Sequence, residues 1–254
     1  MLGVNRVAAV GFGAAAEVYE RARPSYPEAA VDWIARRARL RRGATVVDVG
    51  AGTGKLTRLL VPTGARVVAV EPLPEMRAKL VELLPGVEAL DGTAESLPLP
   101  DRSADAVTVA QAFHWFHPER ALPELHRVLR PGGVLVLVWN SRQLGDALQQ
   151  ALEDLLAPLR KEVPSQLEGA WRAPLERSRL FGRIQEVRFP YEQSLTTDGL
   201  CERVASTSFV AALPDDAREA LLARVRELTA GRAEPFRFPY VTEVYVTPRS
   251  RRRR

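Results

Sequence analysis

The stretch VVDVGAGTGK, Val46 to Lys55, decides how this 254-residue chain is read. An apolar run, ATVVDVG, precedes it in the manner of a buried strand, and LTRLLV after it opens a helical pattern. Between them Gly50, Gly52 and Gly54 stand at alternate positions. Without a Cβ the main chain there can turn sharply and approach a ligand, and free amides at a helix start can meet an anion or carboxylate. The spacing separates ligand classes. A dinucleotide loop places its third small residue where Lys55 stands, and a phosphate-cradling loop needs Ser or Thr where Leu56 stands.

Further along, the run ARVVAVE (65–71) ends on Glu71, 21 positions beyond Gly50. A carboxylate at a strand's carboxyl end can accept both hydroxyls of a ribose, and Pro72 stiffens the turn that follows. GVEALDG (86–92) reads as a third strand. Asp91-Gly92-Thr93-Ala94-Glu95 closes it where an adenine edge would lie. ADAVTVAQ (104–111) and VLVLVWN (134–140) are strands, while PEMRAKLVELL (74–84) and PERALPELHRVLR (118–130) are helical. Helices of this length between buried strands predict right-handed crossovers and a mostly parallel sheet, with ligands at the carboxyl ends of its strands.

An earlier glycine run, VAAVGFGAAA (7–16), resembles a dinucleotide fingerprint but lacks its context. Twenty residues on, Pro24 and Pro27 have intervened and Asp32 lies in a helical pattern, WIARRARL, so no second strand is there for an acid to cap. Residues 1–43 are expected to form a helical lid segment hinged at Pro24-Ser25-Tyr26-Pro27. After Asn140 the rhythm changes. Residues 141–234 hold the helical patterns LGDALQQALEDLLAPLR, DGLCERVASTSFVAALP and DDAREALLARVRELTAG, a strand over 183–195 and an irregular stretch carrying Trp171. Residues 235–247 read as a final strand and 248–254 as a disordered basic tail.

The bulk numbers agree with one sizeable core: 46% of residues are hydrophobic and 26% charged. The net charge is +5, but Arg249 and Arg251 to Arg254 contribute all of it, which argues against a nucleic-acid partner. The lone Cys201 forbids an internal disulfide and fits a reducing compartment. No apolar run of spanning length and no secretory leader pattern is visible, so a cytoplasmic protein with no membrane contact, monomeric or homodimeric, is expected.

VDVGAGTGKLT, VVAVEPLPEM, DGTAESLPLPDRSADAVTVAQAFHWF and LRPGGVLVLVWN together resemble the class I S-adenosylmethionine-dependent methyltransferases, in family order across roughly 44–140. AEVYERARPSYPEA and AQAFHWF are similar to the small-molecule branch that includes trans-aconitate methyltransferase-like proteins. The resemblance implies an α/β, Rossmann-like, seven-stranded, mostly parallel sheet with its last strand antiparallel, helices on both faces and helical lid elements. It implies S-adenosylmethionine as cofactor and S-adenosylhomocysteine as product. Asp48, Gly50, Ala51, Gly52, Thr53 and Gly54 would serve the methionine part and Glu71 and Pro72 the ribose. Met76, Thr93, Ala94 and Glu95 would lie near adenine, with Ala110, Gln111, Tyr19 and Arg23 over the cofactor.

A sulfonium methyl is already activated, so alignment of an acceptor behind it does most of the work, a proximity effect of about 7–11 kcal/mol. A hydroxyl acceptor would want a base, and His114, just after the fourth strand, is the candidate; a carboxylate acceptor would want none. His114 packing or orienting substrate instead is the structural alternative. Tyr26, Trp115, Trp139 and Asn140 are candidate substrate contacts, with aromatic faces suited to the sulfonium charge. Arg23 and Arg172 are candidate readers of an acidic group. His114-x-x-His117 lacks the further ligands a metal site needs, so none is expected. The activity expected is methyl transfer to a small molecule, with an oxygen of a carboxylate or hydroxyl favoured. The alternatives are a Rossmann-type NAD(P)-dependent oxidoreductase and a non-catalytic S-adenosylmethionine-binding protein.

Overall fold

The computed structural model describes residues 16–160 and 169–250. The glycine run at 7–16 and the arginines from 251 onward therefore lie largely or wholly outside the described residues. Two helices come first, α1 (Ala16–Ala22) and α2 (Glu28–Arg37), separated by the Pro24–Pro27 hinge. The alternating unit then runs β1 (Thr45–Val49), α3 (Thr57–Leu60), β2 (Arg66–Val70), α4 (Pro74–Leu83), β3 (Glu88–Leu90), β4 (Ala104–Ala110), α5 (Pro118–Val128) and β5 (Leu129–Arg142). The expected helix after the glycine loop is cut to one turn, because Pro62 opens a 3-10 turn and Gly64 leaves it at φ 78°.

The sheet has seven strands in the order β3-β2-β1-β4-β5-β7-β6, where β6 is Gln185–Leu195 and β7 is Phe236–Pro248. The first five pair in parallel and β7 runs antiparallel to both its neighbours. Val46, Val67, Ala106, Val136 and Val138 pack on one face beneath α2, while Val47, Val49, Val107, Leu135 and Leu137 pack on the other beneath α5. Burial of both faces is why these strands read as nearly continuous apolar runs.

The remaining helices, α6 (Ala147–Arg160), α7 (Arg172–Arg177), α8 (Thr197–Ala205), α9 (Ser208–Ala211) and α10 (Asp215–Thr229), belong to the second part of the chain. The helical pattern over 198–214 divides into α8 and α9 at Ser206-Thr207. The β6–β7 hairpin extends past the sheet: β5 pairs with β7 only as far as Tyr240, but β6 pairs with it back to Phe236. On that overhang Phe236, Phe238 and Tyr240 form a separate apolar cluster with Leu152, Leu200, Val204, Val210, Leu221 and Val225. Because β7 is antiparallel to β5, its overhang projects beyond the carboxyl ends of the parallel strands. The sequence pattern gives α6, α8, α9 and α10 but not α7, a short helix in the stretch read as irregular; the register of this hairpin decides where the four sit.

Candidate active site

The glycine loop leaves β1 with positive φ at Gly50, Gly52 and Gly54. At Gly50 an added Cβ would lie 2.8 Å from the Ala112 Cβ, so packing demands glycine there; at Gly52 a Cβ would meet no atom within 4 Å, so the demand is conformational and the space beside it is open. The loop is fixed from below. Asp48, fully buried, accepts hydrogen bonds from the Thr57 hydroxyl at 2.6 Å and the Thr108 hydroxyl at 2.8 Å, tying β1 to α3 and β4. Burial pushes its carboxyl up to about 6, against the pull of those two hydroxyls.

Glu71 follows β2 at the carboxyl edge and is 5% exposed. One oxygen accepts the Gly52 N–H at 2.8 Å and the other the Leu73 N–H at 3.0 Å. Burial raises its carboxyl to about 7, opposed by those amides and by Arg77. The pairing of Glu71 with the loop amide was not foreseen: the same carboxylate that could hold a ribose also shapes the glycine turn.

Above the loop a pocket is walled by Gly50, Ala51, Gly52 and Thr53 on one side and by Tyr19, Arg23 and Tyr26 on another, with Ala110 and Gln111 at the end of β4. Gln111 takes φ 57°, and its N–H bonds the Val138 carbonyl. Most residues expected over the cofactor thus meet in one place. Tyr19 and Arg23 come from α1 and its end, with the Arg23 guanidinium 5.1 Å from the Tyr19 ring centre. Helix α1 is strapped on both sides. Glu20 accepts from the Thr53 hydroxyl and pairs with Arg58 at 2.8 Å and Lys55 at 3.6 Å, and Lys55 also donates to the Glu20 carbonyl. Arg23 donates to the Ser206 hydroxyl at 3.0 Å and carbonyl at 2.7 Å, at the carboxyl end of α8. Burial, then the nearby Arg203 charge, lower the Arg23 guanidinium to about 9.

Thr93, Ala94 and Glu95 form the turn after β3, with Ala94 buried. One Glu95 oxygen accepts the His117 N–H at 2.9 Å; the other is the one buried side-chain polar atom without a hydrogen-bond partner among the described residues. Pro72 is half-buried in the turn after Glu71, and Met76 is buried inside α4 rather than open to the pocket.

His114 lies on a 3-10 turn (Phe113–Trp115). Its Nδ1 accepts the Trp139 indole N–H at 3.4 Å, which places the remaining proton on Nε2. Burial and then the Arg23 charge lower the ring to about 4, so it is neutral at ordinary pH. The Trp115 ring sits 5.0 Å away.

Two expected substrate contacts take other roles. Trp139 has no exposed surface and is stacked on Trp171 at 4.7 Å and against Tyr245 at 5.8 Å, so it is core. Asn140 donates to the Ser25 carbonyl at 2.8 Å and accepts from the Thr242 hydroxyl at 2.6 Å, pinning the proline hinge to the sheet. Arg172 is spent on ion pairs with Glu176 and Glu186. His126 packs edge-on to Phe181, and Cys201 is buried in the cluster on the overhang. Among the described residues no three His, Cys, Asp or Glu side chains are grouped to hold a metal, and no helix is long and apolar enough to cross a membrane.

One wall of the pocket was not anticipated: Arg203, from α8. Nothing in DGLCERVA signals it, because the contact depends on the hairpin overhang carrying α8 over the loop after β1.

A 3-2-1-4-5-7-6 sheet, with a glycine loop after β1, an acid after β2 and a pocket at the carboxyl ends of its strands, is an α/β fold of the methyltransferase type. Residues 47–137 match the family described as methyltransferase domain. A protein of Mycobacterium tuberculosis named as an uncharacterized methyltransferase is 42% identical over 247 residues, covering 94% of this chain and 95% of its own. A Schizosaccharomyces pombe protein, uncharacterized and methyltransferase-like, is 36% identical over 83% of this chain and 82% of its own. A solved structure from Anabaena variabilis, provisionally named a methyltransferase from an antibiotic biosynthesis pathway, superposes with a TM-score of 0.65 at 25% identity, over 88% of this chain and 98% of that one. The chain belongs to the S-adenosylmethionine-dependent methyltransferases of the class I fold. The dehydrogenase alternative is thereby set aside.

Proposed function

We propose that the protein moves a methyl group from S-adenosylmethionine to an oxygen of a small molecule, a carboxylate or hydroxyl. The observation that carries the cofactor reading is Glu71: a buried acid, bonded to the glycine loop, with a lone pair on each oxygen still free to accept a ribose hydroxyl. When bound, S-adenosylmethionine supplies a methyl group activated by its sulfonium.

The chain's residues have distinct tasks around it. Asp48 holds the turn, Gly50 and Gly54 let it pack closely, and Gly52 leaves room beside the main chain for the methionine part. The unpartnered Glu95 oxygen suits an amino donor such as the adenine edge offers, with Thr93 and Ala94 beside it and Pro72 and Met76 shaping that end. Tyr19, Arg23, Ala110 and Gln111 enclose the reacting end, and closure of α1 with α8 over the glycine loop as a lid would exclude water. Tyr26 and Trp115 remain the candidate acceptor contacts. His114 acts as an Nε2–H donor that orients the acceptor, not as its base, because its environment suppresses protonation. A donor in place of a base suits an acceptor that is already ionised.

The test is calorimetry with S-adenosylhomocysteine, followed by product release with S-adenosylmethionine and panels of carboxylic acids, phenols and amines. Saturable binding and turnover with an oxygen acceptor are expected. Turnover confined to amines would overturn the acceptor class, and binding without turnover on any panel would favour a non-catalytic cofactor-binding protein.

A further inference from the structure

We infer that Arg203, with Arg23 beside it, forms an anchoring site for a carboxylate in the pocket above the glycine loop. The inference rests on the cofactor reading of that loop. Arg203 lines the pocket opposite Gly50 to Thr53 and comes from the other half of the molecule. Its guanidinium is held from behind: Nε donates to the Tyr240 hydroxyl at 3.3 Å, which donates to the Gln193 carbonyl oxygen at 3.4 Å, and the Gln193 amide donates to the Ala22 carbonyl at 3.1 Å. The relay leaves both Nη groups without a hydrogen bond to any described residue.

Three acids of the surrounding elements are committed elsewhere. Glu20 pairs with Lys55 and Arg58, Glu202 with Arg21, and Glu153 with Arg142 and Arg160. Among the described residues no carboxylate pairs with Arg203 or Arg23, and the two guanidiniums repel each other. Two half-enclosed cations facing a pocket without a counter-charge are costly, and a ligand carboxylate relieves that cost. The planar fork of arginine matches a carboxylate in two parallel hydrogen bonds. Two sources offer this chemistry: the amino-acid end of the cofactor and an acid group on the acceptor.

The experiment separates them. Wild type, Arg203→Gln and Arg203→Lys are titrated with S-adenosylhomocysteine and with 5′-methylthioadenosine, which lacks the amino-acid end. Citrate and benzoate are then titrated into protein with and without S-adenosylhomocysteine. If the cofactor carboxylate is held, Arg203→Gln weakens S-adenosylhomocysteine by about tenfold to a hundredfold and leaves 5′-methylthioadenosine unchanged. If the acceptor's acid is held, S-adenosylhomocysteine binds both proteins alike while citrate or benzoate binding is lost in Arg203→Gln and partly restored in Arg203→Lys. Equal loss of both nucleosides marks a merely structural residue and overturns the inference. Equal S-adenosylhomocysteine affinity, with citrate and benzoate bound equally by both proteins or by neither, overturns it too. Should Arg203→Gln fail to fold, Arg203→Lys carries the test: lacking the fork, it is expected to bind severalfold more weakly, and unchanged binding refutes the site. A wild type that binds neither nucleoside removes the cofactor reading instead, and the titrations without nucleoside then decide Arg203 alone.

Discussion

The two halves of this molecule are held together differently. In residues 44–140 each central strand is buried on both faces and the candidate site groups sit within a few residues of a strand's carboxyl end: Gly50 after β1, Glu71 after β2, Glu95 after β3, Gln111 after β4. In residues 141–234 α6, α8, α9 and α10 rest on one apolar cluster around a hairpin overhang, while Leu175 of α7 joins the first core, and the residue that reaches the pocket, Arg203, does so across the molecule. The first half builds its site from local turns and the second contributes by where it is placed. If that division is right, damage to each half should be distinguishable.

The largest effect is expected at Glu71. Glu71→Ala removes a charged acceptor for two hydroxyls and the staple on the Gly52 amide, at about 1.5–3 kcal/mol for each charged hydrogen bond. S-adenosylhomocysteine affinity should drop by a hundredfold or more in calorimetry, beyond the fall in melting temperature that loss of the Gly52 and Leu73 amide bonds brings. Affinity within threefold of wild type would take the cofactor grip away from the first half. Next in size is Phe238→Ala, in the centre of the second cluster. It should cost about 3–5 kcal/mol of stability, seen as an early transition on thermal or urea unfolding, with much of the nucleoside affinity retained. A single transition with affinity lost in step would mean the halves do not act separately.

This division also explains what could be read from the sequence. Left-handed turns need glycine at fixed offsets and an acid that staples such a turn needs a strand end, so Gly50, Gly52, Gly54 and Glu71 are legible as site candidates from spacing. The seven-stranded order followed from the alternation of apolar runs and helices together with the family resemblance. What spacing does not contain is register across the hairpin. Trp139 and Asn140 looked like site residues because they end a strand at the carboxyl edge. Yet Trp139 turns into the face covered by Trp171, and Asn140 is consumed by Ser25 and Thr242. Arg203 was invisible for the converse reason: its neighbours in sequence are ordinary helix, and its neighbours in space are set by the overhang.

A third, smaller effect is in pH. Burial holds the Glu71 carboxyl near 7, above its unfolded value. In the ligand-free protein this raised value favours the protonated acid, so its contribution to stability is lost as pH rises from about 4.5 through 7. Ribose hydroxyls need the ionised form as acceptor. S-adenosylhomocysteine affinity should therefore fall as pH drops below 7, approaching tenfold per pH unit, and level off above it. Glu71→Gln should flatten that profile. A wild-type profile already flat from pH 5.5 to 8 would place the ionised acid outside the binding step.

The smallest effect, and the sharpest on mechanism, concerns His114. A general base typically contributes about a hundredfold to ten-thousandfold, and an ordinary histidine would imprint an inflection near pH 6.5 on the turnover profile. His114 is instead lowered to about 4 by burial and Arg23, with Nδ1 occupied by Trp139. No inflection from this ring is expected between pH 5.5 and 8. A neutral hydrogen-bond donor contributes about 0.5–1.5 kcal/mol, so His114→Ala should slow turnover by roughly tenfold or less. His114→Gln, whose amide can present an N–H from a similar position, should recover most of that rate. A hundredfold loss in both variants, with a wild-type inflection near 6.5 that disappears in them, would return the ring to the role of base. It would also require its charge to be tolerated beside Arg23, as a carboxylate brought in by a ligand would allow.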